Sequence, residues 1–358
     1  MTQLLADTIV ITGIGMSSSL GNAVLACAAA RTGMSISREL EGFVTTCEDG
    51  TDAVIVGHPI ATASGFRGTG KLLCLGKGAL EDLLETSDLR GDNQVKMGLY
   101  VCLRDPGASG DCSDGNLLCA QLTSLTSLSL PEANWNHIEE GHAGFVRAVA
   151  AASTKLRAGH WHRCLVGGLD SLLDETVLAS LVRSGRLKTP DRPDGLQPGE
   201  AGAFVLLERF DAARRRQANV LAVVAGTSLA IEPDHAESDR PCRGAGLTEA
   251  LARVLEDSTA QQRGTLWLLS DHNGEHFRAN ELGNTLARAS GNYSKLRAAR
   301  SSYPAASFGD TGAASAALAA CLVARAFGRG YAPGSSALIL SSSERESRGV
   351  LSLKKYMA

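Results

Sequence analysis

The chain alternates between short, wholly apolar runs and longer stretches in which apolar and polar residues mix. "DTIVITGIG" (Asp7–Gly15), "AVIVG" (Ala53–Gly57) and "KMGLYVCL" (Lys96–Leu103) read as strands buried on both faces. Between them, "LGNAVLACAAARTG" and "LLCLGKGALEDLLETSD" (Leu72–Asp88) read as helices, the first with Asn22 as N-cap and Gly33 as stop. "RDPGASGDCSDGN" (Arg104–Asn116) is a polar loop. "NHIEEGHAGFVRAVAAASTKLRAGHWHRCLVGGLDS" (Asn136–Ser171) reads as a loop, an amphipathic helix, a turn and a buried strand. A strand at Ala201–Phe210 follows a polar excursion.

The rhythm then restarts. Strands are expected at Val220–Ala230 and Thr265–Asp271, and helices at Leu247–Ser258, Asn280–Ser290 and Asp310–Gly330. "SALILSSS" and "GVLSLKK" close the chain as paired strands. The pattern predicts an α/β fold of two comparable halves, 1–212 and 213–358, divided near Asp211–Asn219.

Composition adds mainly exclusions. Hydrophobic residues make up 44% and charged residues 20% of the 358 positions, enough for an ample core. A net charge of -3 gives no reason to expect nucleic acid or an anionic membrane as partner. The single basic cluster, "ARRRQ" (Ala213–Gln217), fits a solvated helix end. The nine cysteines form no C-x-x-C pair, which argues against a disulfide framework. With neither a leader pattern at the N-terminus nor an apolar run of the ~20 residues that span a bilayer, a cytoplasmic location is expected.

Three motifs carry chemistry in other settings. "GFRGTGKL" (Gly65–Leu72) approaches a phosphate-cradling loop, but Leu72 stands where a magnesium-binding hydroxyl belongs. "HNGEH" (His272–His276) fits a zinc-protease spacing that works only on a helix, and Gly274 disfavours one. "HWH" (His160–His162) sits in a turn. None of the three leads to an expected metal or cofactor. His142 is the strongest local candidate, because it stands at a helix entrance whose unpaired N–H groups favour a neutral imidazole able to act as a base. A satisfied, buried histidine is the plain alternative.

Several segments together resemble the β-ketoacyl-[acyl carrier protein] synthase family of the thiolase-like superfamily. They are "IVITGIGMSSSLGN" (Ile9–Asn22), "LRAGHWHRCLVGGLDS", "GRLKTPDRPDGLQPGEAGAFVLLE" (Gly185–Glu208) and "SFGDTGAASAALAA" (Ser307–Ala320). The resemblance implies a thiolase-like fold of duplicated, layered α/β/α/β/α halves. In that family a Cys at the helix entrance carries the acyl chain as a thioester, and two His support decarboxylation and the oxyanion. Here the Cys position falls on His142, or on Gly141 under the other anchoring, so the resemblance implies a divergent member lacking the nucleophile. The first family His falls on His272 without its threonines, the second on Asp310, and the family Lys on Ala305. "SSSERES" (Ser341–Ser347) runs where the family has a gating loop, and Arg104–Leu130 is the expected place for a trimmed cap.

By that resemblance His142, His272 and Asp310 occupy catalytic positions in degenerate form, and Glu275, Phe308, Gly309 and Thr311 are the expected binding residues. Condensation is not expected. The reading that follows is a non-catalytic partner, acyl- or carrier-binding protein or adaptor. It would form a homodimer, or a heterodimer with a ketosynthase-like chain, and could engage an acyl carrier protein or an effector protein. The other reading is an acyltransferase, thioester hydrolase or decarboxylase using His142 with His272 and Asp310.

Overall fold

β1 (Ile9–Ser18) organises the molecule, because its wholly apolar run is buried along almost its full length and needs partners on both edges. It pairs antiparallel with β7 (Glu200–Arg209) on one side and β8 (Ala222–Ile231) on the other. The remaining strands of the main sheet are β4 (Met97–Leu103), β5 (Trp135–Glu139), β6 (Arg163–Ser171), β9 (Leu266–Ser270), β10 (Arg300–Ser302), β11 (Ser336–Ser342) and β12 (Ser347–Lys354). This computed structural model describes residues 4–357 apart from 48, 88, 90–95, 109–113, 127, 129, 239 and 258–263. Part of the polar loop at Arg104–Asn116 and of the expected cap region therefore lies outside the described residues.

The ten strands run in the order β10-β9-β11-β12-β8-β1-β7-β6-β4-β5. Outward from the β1–β8 seam, β1-β7-β6-β4-β5 and β8-β12-β11-β9-β10 repeat the same connectivity, with two antiparallel pairings followed by two parallel ones. The duplication expected from the restart of the pattern is thus present in the topology.

The helices are α1 (Ala23–Arg31), α2 (Gly68–Thr86), α3 (Gly115–Leu125), α4 (Gly144–Arg157), α5 (Glu175–Arg183), α6 (Phe210–Arg215), α7 (Ala245–Asp257), α8 (His276–Asn292), α9 (Ala305–Phe308) and α10 (Ser315–Arg329). Asn22 caps α1 by accepting from the Leu25 N–H, and Gly330 ends α10 at φ 72°, a left-handed conformation that glycine adopts without strain. α4 and α10 are buried against the sheet, their alanines allowing close approach, and share the largest apolar cluster with β1, β6 and β7.

One expectation needs correction. "AVIVG" forms β3 (Asp52–Gly57), but not in the main sheet. It pairs only with β2 (Arg38–Thr46), and Val54 is 47% exposed. Its partner carries alternating charged residues, so this small sheet is covered on one face only.

The sheet and α10 meet most tightly at β6. A Cβ on Gly168 would lie 2.2 Å from the Ala313 carbonyl oxygen, so only glycine lets the turn at Gly312–Ala314 approach the strand. Two residues on, Asp170 accepts from the Ala313 N–H at 2.9 Å and fixes that turn. Gly168→Ala is therefore expected to lower stability by about 1–3 kcal/mol through overpacking. Denaturant unfolding checks this, and an unchanged midpoint would show that the turn can retreat freely.

Candidate functional site

The residues at the helix entrances meet at one point between the two halves. Gly141, with φ 61°, opens a short turn, Gly141–Ala143, that leads into α4 and buries His142 to 4% exposure. The corresponding turn before α10 delivers Asp310, which is 2% exposed. Asp310 is held at both ends of its backbone. Its N–H donates to Gln197 O, and its carbonyl accepts from Gly199 N–H, each at 2.8 Å. The "GLQPGE" part of the most family-like segment is thus the bracket for Asp310. His142 Nε2 lies 3.0 Å from Asp310 Oδ1.

Further charges close around this pair. Asn273 Nδ2 donates to Asp310 Oδ2 at 2.6 Å, and the Gly312 N–H donates to Oδ1 at 2.8 Å. Arg278 on α8 places Nη2 at 3.4 Å from both ring nitrogens of His142 and at 3.0 Å from Glu344 Oε1. Its Nη1 donates to Ser342 O at 2.7 Å and to Asp271 at 3.2 Å. Arg186 makes two bonds to Glu275, at 2.6 and 2.8 Å, and pairs with Glu344. Ser343 accepts from the Ala143 N–H at 3.1 Å and donates to the Glu140 carbonyl. The "SSSERES" segment therefore lies directly over the α4 entrance.

The electrostatics correct the expectation of a neutral His142. Burial and the Arg278 charge both push the imidazolium down, but Asp310, adjacent and hydrogen-bonded, outweighs them and raises its pKa above the ordinary histidine value. Burial would lift the Asp310 carboxyl, yet His142, Arg278 and the Gly312 N–H hold it well below the usual carboxylate range. Glu344, buried between Arg278 and Arg186, is lowered to about 2. The centre is a closed array of ionised groups.

The other expected site residues separate. The His272 ring makes no hydrogen bond to His142 or Asp310 among the described residues. It packs edge-on against Tyr303, at 5.3 Å between centroids, and its Nδ1 is buried without a partner. Asn273, the next residue, makes the contact instead. Glu275 is engaged by Arg186 and does not line the cavity beside His142. Phe308, Gly309 and Thr311 do not line it either. Phe308 and Thr311 are buried, and Gly309 makes a left-handed turn (φ 70°) packed against His58.

That cavity has a volume of about 70 Å³, with Arg104, Asp105, His142, Leu172, Arg186 and Glu344 in its wall. Pockets for small-molecule ligands typically measure about 300–1,000 Å³. Lys71, the phosphate-loop candidate, is bound to buried Glu200 at 3.0 Å. "HNGEH" is not helical until His276, so its histidines do not share a helix face.

Arg278, Asn273, Arg186 and Glu344 were not singled out by sequence reasoning. The one signal for them was the replacement of the gating loop by "SSSERES", whose central Glu344 now pairs with Arg278 and Arg186.

No protein-family model matches the chain. Solved structures do, over nearly its whole length. A structure of a type II polyketide synthase acyl carrier protein in complex with its ketosynthase bound to the hexaketide superimposes with a TM-score of 0.81 at 15% identity, covering 98% of this chain and 99% of that one. The ishigamide ketosynthase/chain length factor gives 0.79 at 19% identity, with the same coverage. The ketosynthase from module 6 of the bacillaene synthase of Bacillus subtilis gives 0.78 at 13% identity, over 98% of this chain and 72% of that chain. The chain has the ketosynthase form of the thiolase-like fold.

The His142–Asp310 pair sets a pH signature. Asp310, with its lowered pKa, contributes stability above the unfolded carboxylate value of about 3.9 and loses it as pH falls through the folded value. His142, with its raised pKa, contributes fully below about 6.5 and loses that contribution as pH rises through its folded value. Asp310→Asn is expected to cost about 3–5 kcal/mol between those limits, because it leaves charged groups buried and unpaired. The deficit should narrow at alkaline pH. Denaturant unfolding of both proteins across this range checks it, and a pH-independent deficit would mean that His142 is not charged.

Proposed function

We propose that this chain is a non-catalytic ketosynthase-like subunit that works through its protein surfaces. The observation that carries this reading is the ion network filling the space at His142. A condensing enzyme needs a nucleophile and a donor to the oxyanion facing an open volume. Here the nucleophile position holds a histidine whose Nε2 is engaged by Asp310, with Arg278 lying against both ring nitrogens. No imidazole nitrogen is left free to act as a base. A carboxylate in the oxyanion position opposes the developing negative charge.

The small cavity argues in the same direction, since about 70 Å³ accommodates neither an acyl chain nor a carrier's prosthetic arm. An adaptor or structural partner therefore fits better than an acyl-holding protein. A surface for a partner is available at β5, one of the two edge strands of the main sheet, whose residues are all half-buried and whose outer backbone groups have no strand beside them among the described residues. The similarity to a ketosynthase/chain length factor and to a ketosynthase in complex with its acyl carrier protein supports a ketosynthase-like chain or a carrier as partner. The His142-dependent hydrolase or decarboxylase reading keeps the His–Asp contact but lacks a nucleophile and a free base.

Malonyl- and acyl-thioesters incubated with the purified protein are expected to show no decarboxylation, acyl release or acylated protein by mass. His142→Cys alone should restore no condensation, because Asp310, Arg278 and Glu344 still fill the site. Turnover by the wild type that disappears in His142→Ala would overturn the reading. So would a monomer that captures neither a second copy, a ketosynthase nor an acyl carrier protein.

A further inference from the structure

The second half contains a group of potential metal ligands that takes no part in the hydrogen bonds around His142 and Asp310. Glu232 follows β8, Cys242 lies in the connection leading to α7, and Glu281 is on α8. One donor atom from each lies within 4.8 Å of the others, and among the described residues this is the one such cluster of His, Cys, Asp and Glu side chains. Glu232 is 0% and Glu281 1% exposed, whereas Cys242 is half-buried and open to solvent on one side. We propose that Glu232, Cys242 and Glu281 form a binding site for a divalent transition-metal ion of the zinc class.

The arrangement is built rather than incidental. Glu232 is fixed by the Gly246 N–H at 2.9 Å and the Asp234 N–H at 3.3 Å, leaving further lone pairs on both oxygens. Gly246 itself cannot be larger, since a Cβ would lie 2.6 Å from Ile231 O. Burial and the Glu281 and Glu232 charges push the Cys242 thiol up to about 12 although the Gly244 N–H is directed at its sulfur, so the thiolate forms there only with a cation beside it. Thr285 on α8 donates to Gly244 O at 3.3 Å and holds the connection against that helix. Glu281 Oε1 accepts from Arg348 Nε at 2.5 Å, while Glu281 Oε2 is buried with no hydrogen-bond partner. A fully buried carboxylate oxygen without a donor is expensive, and a cation beside it removes the cost.

Charge points the same way. Two buried carboxylates face one guanidinium, that of Arg348, so the cluster carries excess negative charge. Binding a divalent ion while Cys242 releases its proton brings the total to neutrality: two carboxylates and a thiolate against the ion and Arg348. The thiolate selects a borderline-soft ion such as zinc over calcium or magnesium. Bonds of about 2.3 Å to sulfur and about 2.0–2.2 Å to oxygen place tetrahedral donors roughly 3.3–3.7 Å apart, so closure needs movement of about 1 Å. Solvent at the Cys242 side supplies the fourth ligand and the way in.

This inference is independent of the proposed function. The full chain, stripped with chelator, is titrated with Co²⁺ and followed by absorbance. Binding should produce a thiolate-to-cobalt charge-transfer band together with the visible bands of a tetrahedral ion. Cys242→Ser should lose the charge-transfer band although the other cysteines remain. Glu281→Gln should weaken binding by at least the roughly 10–100-fold typical of lost supporting groups. Zn²⁺ should raise the unfolding temperature of the wild type but not of Cys242→Ser, whose folding in the absence of metal is verified by circular dichroism. Absence of the band, or its persistence in folded Cys242→Ser, would overturn the proposal. In that case Glu281 Oε2 simply turns toward Arg348 Nη2, which also lacks a partner.

Discussion

A carboxylate buried at the meeting point of the two halves constrains everything around it. Asp310 is 2% exposed, and a lone charge there would be prohibitive, so the fold has to bring donors to it. It does so from widely separated segments: His142 at the start of α4, Asn273 in the loop after β9, Arg278 on α8 and the Gly312 N–H in its own turn. Arg278 then requires its own counter-charges, which Asp271 and Glu344 provide, and Glu344 calls in Arg186 from beyond α5. Each buried charge at the centre is thus compensated by another. The centre behaves as one electrostatic unit in which no member can revert alone without stranding its neighbour.

The same closure explains why the space beside His142 is only about 70 Å³. Active members of such a fold need room for an acyl chain and mobile groups that pass protons. This chain has put hydrogen bonds and ion pairs in that volume, and the loop carrying Ser343 is tied to the α4 entrance through the Ala143 N–H and the Glu140 carbonyl. The site is satisfied rather than open, an arrangement that generally favours stability over turnover.

Much of the fold was legible because buried strands write themselves as continuous apolar runs, and the restart after Asn219 announced the repeated topology seen on both sides of the β1–β8 seam. β2 was missed because "RELEGFVTT" is mostly polar, with three charges in its first four residues, and its partner β3 looked buried because of its aliphatic run Ala53–Val56. At the site, His142 and Asp310 could be found by position. Their ionisation could not, since it depends on a 3.0 Å contact across 168 residues of chain rather than on the helix entrance alone. Arg278 and Glu344 were illegible for a related reason. A charged residue on a helix or in a serine-rich loop reads as solvated until the fold shows it buried.

The position of β1 in the sheet has a consequence for how the chain is made. Its partners are β7, near residue 200, and β8 beyond it, so this strand leaves the ribosome long before either partner, and roughly 190 further residues must be synthesised before β7 can pair with it. At about 5–20 residues per second that interval is roughly ten to forty seconds. For that time "IVITGIGM" is a bare, strongly β-forming segment, and the nascent polypeptide depends on chaperones, or on delayed collapse, to keep it from a foreign edge.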